Sequence, residues 1–124
     1  MTSVAILVQA VTAGAFVNKT GSDTWVTAHG VIADASWVLA LISAAIGWIW
    51  IRQATPRLAQ WAIALFVLTL AQTGIGHLIT DYGYDSLIAV HVPLAMIIFG
   101  LTVWITARAG RLHRVNTGQP AGIR

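Results

Sequence analysis

Hydrophobic residues in this chain gather into four long stretches, roughly residues 2–17, 25–51, 58–80 and 86–107, and polar residues collect between and after them. Most of these stretches reach the ~20 residues that a helix needs to cross a ~30 Å hydrocarbon core; the first is marginal. The pattern predicts an all-α integral membrane protein, an up-down four-helix bundle with short connections. Residues 1–111 would form the bundle and residues 112–124, which include "NTGQPAGIR", a flexible cytoplasmic tail with too little apolar content to pack.

Composition agrees with the pattern. Of the 124 residues, 57% are hydrophobic and 9% charged, and the mean hydropathy is +0.77, well outside the range of soluble domains. The "AGA" at 13–15 mimics a signal cleavage site, yet no Lys or Arg precedes the first stretch, so it is read as a retained helix. With no cysteine, disulfides, thiolate metal sites and cysteine nucleophiles are excluded.

Charge adds topology. A basic pI suggests nucleic acid, but the cations sit at the ends of apolar stretches without interleaved aromatics, so no nucleic-acid partner is expected. Arg52 and Arg57 flank the second connection and Arg108, Arg111, Arg114 and Arg124 follow the fourth stretch, whereas the first and third connections carry Lys19 against Asp23, Asp81 and Asp85. The positive-inside rule then puts both termini in the cytoplasm of a multi-pass cell-membrane protein. Trp48, Trp50, Trp61 and Trp104 fall near the inner interface and Trp25 near the outer one.

Two hairpins repeat. A shift of 62 residues pairs Gly14 with Gly76, Gly21 with Gly83, Asp23 with Asp85, His29 with His91, Ala33 with Ala95 and Leu39 with Leu101, against roughly two identities expected by chance in so biased a composition. The units are about 1–52 and 57–111, related by a pseudo-two-fold axis along the membrane normal. His29 and His91 become equivalent residues, each about four to five positions inside the outer end of its helix, roughly 6–8 Å deep. Gly14 and Gly76 lie at a similar depth on the partner helices, where a missing side chain leaves room for a flat group.

In such a bundle the second and fourth helices are diagonal, about 11–14 Å apart. Two imidazoles reaching across that diagonal leave room for one metal atom, the geometry of bis-histidine haem ligation. Zinc or copper would want further ligands, for which only His77, Asp81 or Asp85 are at hand. For haem iron two histidines suffice, because the porphyrin supplies the other four nitrogens. A lone membrane histidine more often hydrogen-bonds a neighbouring helix; equivalence in two repeats tips the reading to one haem b near the outer face.

Other polar residues have roles in the same picture. His77, beside Gly76, would bind a propionate, hold a second ligand or make a hydrogen bond near the surface, and Lys19, Tyr82 and Tyr84 would lie where propionates emerge. Asp23 and Asp85 read as helix caps. Asp34, the one acid within a stretch, falls level with Gln9 and Gln72, roughly 13 Å deep, in a polar layer beneath the haem. It reads as a proton-linked group or quinone contact, or as a protonated acid that fixes helix register.

His29 in "WVTAHGVIA", His91 in "IAVHVPLAM" and "LAQTGIG" at 70–76 resemble one four-helix half of the haem A synthase family. That resemblance implies haem ligation by His29 and His91. It does not carry the family's chemistry, since the family's glutamate three residues before the first of these histidines is Val26 here and the second half is lacking. The expected function is a small membrane cytochrome b that transfers electrons alone, as a homo-oligomer or as a subunit of a larger oxidoreductase, with a quinone or redox protein as partner. The alternatives are a haem-handling or delivery protein, a haem-A-synthase-like enzyme, and a haem-free small transporter. Small multidrug pumps share the length and span count, but they carry a glutamate in the first helix where this chain has Gln9 and no acid.

Overall fold

The computed structural model describes residues 2–18, 23–116 and 118. Four α-helices follow one another: α1 (Thr2–Asn18), α2 (Asp23–Ile46), α3 (Pro56–Tyr82) and α4 (Ile88–Asn116). A π-helical turn, Gly47–Ile51, prolongs α2, and a 3₁₀ turn, Asp85–Leu87, precedes α4. Three spans, Asp23–Ile51, Pro56–Tyr82 and Asp85–Val115, are long and apolar enough to cross a membrane, consistent with a membrane protein. The first helix is shorter: its apolar part covers Ser3–Gly14.

Local chemistry sets the ends. Pro56 opens α3, where its missing N–H would have had no partner in any case. Gly83 closes α3 in the left-handed conformation at φ 72°, and its N–H donates to the carbonyl of Ile79 at 3.1 Å while that of Tyr84 donates to Leu78 at 3.2 Å. Asp23 and Asp85 stand inside the first turns of α2 and of the 3₁₀ turn; the residue that caps the latter is Tyr84, without a side-chain bond. The expected caps are thus first-turn acids, where a negative charge meets the positive end of the peptide dipoles. The last helix runs on through Leu112 to Asn116, past the expected start of the tail, with His113 and Arg114 in its last turn, where cations are favoured.

Neighbouring helices close a ring. α1 packs on α2, α2 on α3, α3 on α4 and, least extensively, α4 on α1, whereas α2 and α4 are not in contact. They occupy opposite corners, as the up-down order requires. Small residues bring α2 and α3 together at the basic end: Ser36, Ala40 and Ala44 recur every four residues on the buried face of α2, and Gly47 continues it against α3, where an added Cβ would meet Ala59 Cα and Ala62 Cβ at 3.6 Å.

The apolar core follows this seam. Ala40, Leu65 and Ile98 form its centre, with Phe66, Leu94 and Leu101 packed around it. The outer faces are apolar too, with Val4, Val11, Val31, Ile49, Met96 and Ile97 among the exposed side chains. A water-soluble bundle inverts that distribution; a bilayer accepts it. Toward the acidic end the interior changes character, and the buried side chains there are Thr12 and Thr73, with His29 and His91 partly buried beside them.

Candidate functional site

His29 is held by α1. Its Nδ1 lies 3.2 Å from the carbonyl oxygen of Gln9 and 3.3 Å from Thr12 Oγ1. A carbonyl only accepts, and the Thr12 hydroxyl already donates to the same carbonyl at 2.9 Å, so Nδ1 carries the ring proton. Nε2 is then the lone-pair nitrogen, and it accepts from the Gln9 side-chain amide at 3.2 Å. A Nδ1–H held by a backbone carbonyl is the arrangement that orients a metal-binding imidazole and fixes its tautomer.

His91 sits differently. Its Cε1 would lie 3.3 Å from a Cβ added to Gly76, so the ring lies against the bare backbone of α3. Nδ1 is buried without a hydrogen-bond partner. Behind the ring, Gln72 Nε2 donates to the His91 carbonyl at 2.9 Å. That bond reinforces α4 in the turn before Pro93, which lacks the N–H that would otherwise reach the carbonyl of Ala89. The two imidazoles stand on helices at opposite corners of the ring.

Besides His91 Nδ1, the side-chain oxygens of Gln9 and Gln72 are buried and unpartnered. Buried polar atoms are nearly always satisfied, so three orphans beside the two histidines mark a place built for more than helix packing. Among the described residues no group of three or more His, Cys, Asp or Glu could hold a metal ion. Two imidazoles serve only a metal that brings most of its own ligands.

The other expected residues distribute around this pair. Gly76 faces His91, but a Cβ at Gly14 would meet nothing within 4 Å, and Gln9 and Thr12 take the place against His29 that Gly14 was expected to hold. Lys19 lies outside the described residues. Tyr82 and Tyr84 stack on each other, with centroids 6.5 Å apart.

Asp34 does not join Gln9 and Gln72 in a layer beneath the histidines. The glutamines are in the histidine layer itself, and Asp34 turns outward, its side chain 55% exposed, with Oδ1 3.7 Å from His77 Nε2 and 3.4 Å from the Trp37 indole nitrogen. His77 Nδ1 lies 3.1 Å from Asp81 Oδ2. The outward position follows from helix geometry, since five residues separate Asp34 from His29, about 140° around α2. His77 therefore bridges two carboxylates on the outer surface of the bundle.

Thr12, which fixes the His29 tautomer, was missed in the sequence. Its signal was the spacing of three from Gln9, which puts both on one face of α1. No family model, curated protein or solved structure matches the chain.

Proposed function

We propose that this protein is a small membrane cytochrome b, holding one haem b between His29 and His91 toward the outer face and passing electrons to or from a partner. One observation carries the reading: His29 presents a lone-pair Nε2, fixed by a carbonyl bond at Nδ1, across the bundle from an imidazole that lies on a bare glycine backbone. The residues present fit the group. The histidines would supply two nitrogen donors and Gly76 a flat wall, with the small polar side chains Thr12 and Thr73 buried in the same region. When bound between His29 and His91, the haem would supply a one-electron couple for electron transfer.

The chain's own residues divide the work. Thr12 and the Gln9 carbonyl hold the proton on Nδ1 of His29, so that Nε2 can ligate. Gln72 braces the α4 backbone that carries His91. The apolar core at the Ala40, Leu65 and Ile98 level separates this site from the basic end. Solubilised from membranes and reconstituted with haem, the protein should show the split α and Soret bands of a low-spin b-type haem, and H29A and H91A should each abolish them. A preparation that stays colourless with haem, or variants that keep the spectrum, would refute the assignment.

A second reading, haem handling, draws on the Gln9 amide. It already satisfies His29 Nε2, so the haem-free bundle has a ready alternative bond and loading need not be permanent. Transfer of bound haem to an excess of a soluble acceptor within minutes would favour handling, and retention over hours the cytochrome.

A further inference from the structure

At the end of the bundle away from the histidines, a hollow of about 460 Å³ opens between the start of α3 and the last third of α4. Arg57 stands on one wall and Arg108 on the other, with Trp61, Trp104, Leu58 and Leu112 between them. The two indoles meet edge to face, with centroids 5.6 Å apart at 73°. A neighbouring hollow of about 500 Å³ shares Thr55, Leu58 and Leu112 and adds Trp50 and His113.

Among the described residues no carboxylate serves these cations. The chain has four acids, Asp23, Asp34, Asp81 and Asp85; Asp34 and Asp81 are engaged with His77 on the other side of the apolar core, and Asp23 and Asp85 stand at the starts of α2 and of the turn before α4. Among the described residues neither Arg57 nor Arg108 makes an ion pair. The Thr55 hydroxyl donates to the Ile51 carbonyl at 3.5 Å and makes no cap to the first turn of α3.

The geometry points to an occupant with a negative head and an apolar body: an anionic glycerophospholipid of the cytoplasmic leaflet, its phosphate between the Arg57 and Arg108 guanidiniums and its glycerol and upper acyl chains along Leu58, Trp61 and Trp104. A guanidinium pairs with phosphate oxygens through two parallel hydrogen bonds. The half-exposed indoles continue the hollow into the lipid-facing surface, as a soluble phosphate would not need. This inference rests on α2, α3 and α4 crossing the membrane and is independent of haem.

The test begins with alkaline extraction of membranes containing the full chain. Release into the supernatant would overturn the membrane reading, and this inference with it. With the chain retained, it is reconstituted in vesicles of phosphatidylcholine alone or with an equal part of phosphatidylglycerol, extracted in mild detergent, and its retained lipid is measured by native mass spectrometry. The expected result is a phosphatidylglycerol preference on the order of tenfold or more, lost in R57Q/R108Q, kept in R111Q, and unaffected by millimolar inorganic phosphate. Circular dichroism of the double variant should match the parent. Equal retention of the two lipids, a preference that survives in R57Q/R108Q, or displacement by inorganic phosphate would each overturn the assignment.

Discussion

A shift of 62 residues pairs Gly76 with Gly14 in the sequence, yet their surroundings differ, and replacing each with alanine separates two effects. In a helix interior alanine is favoured over glycine by about 1 kcal/mol. At Gly14 the new methyl meets nothing within 4 Å, so the gain is kept in full. At Gly76 it would lie 3.3 Å from His91 Cε1, a few tenths of an ångström inside ordinary contact, and the ring must turn away. Turning a side chain by as much as ~30° from its rotamer costs about 0.5–1.5 kcal/mol, an upper bound here. The expected outcome is G14A more stable than the parent by about 1 kcal/mol and G76A near the parent. Unfolding by SDS in detergent micelles, followed by helical circular dichroism, reads the difference. G76L, whose side chain takes the space of the ring, should also lose the low-spin haem spectrum. Equal gains in G14A and G76A, or an unchanged spectrum in G76L, would refute the placement of His91 against α3.

Three further outcomes follow from the contacts. Q9L removes the amide from His29 Nε2 and leaves the backbone carbonyl in place; haem titration should show affinity equal to or above the parent, and a loss would mean that the side chain supports the site directly. G47A should be tolerated within about 1 kcal/mol, because its methyl would make ordinary contacts at 3.6 Å, whereas G47I should lower the unfolding midpoint markedly by forcing α2 and α3 apart. D34N keeps an oxygen that can accept from the Trp37 indole and loses only the longer 3.7 Å contact with His77, so its effect on stability in detergent should stay below about 1 kcal/mol; a loss of several kcal/mol would show that the carboxylate holds α2 to α3.

Much of the fold could be read from uninterrupted apolar runs. Long stretches with charges only at their ends leave little choice but helices, and the ring order placed His29 and His91 on opposite corners, as the repeat suggested. The helical end at Asn116 was not legible, because residues 112–116 lack the apolar content that marked the earlier stretches, whereas His113 and Arg114 as cations in a last turn favour continuation. The contact of Gly76 with His91 was legible, whereas the matching one expected between Gly14 and His29 does not form. Sequence register matches heights but says nothing of rotation about the axis, and Gln9 and Thr12 face the ring instead. Asp34 shows the same limit: its depth grouped it with the glutamines, although its offset of about 140° from His29 on α2 already turned it away from that imidazole. The tryptophans were read as an interfacial belt, and only the packing of α3 on α4 brings Trp61 and Trp104 together between two arginines.

The ring of four helices has one thin joint, between the short α1 and the long α4. Parting the helices there sacrifices the least packing and leaves the α2–α3 clasp at Gly47 intact. The helices that bear Gln9 and His91 are therefore the pair that separates at the lowest cost in packing.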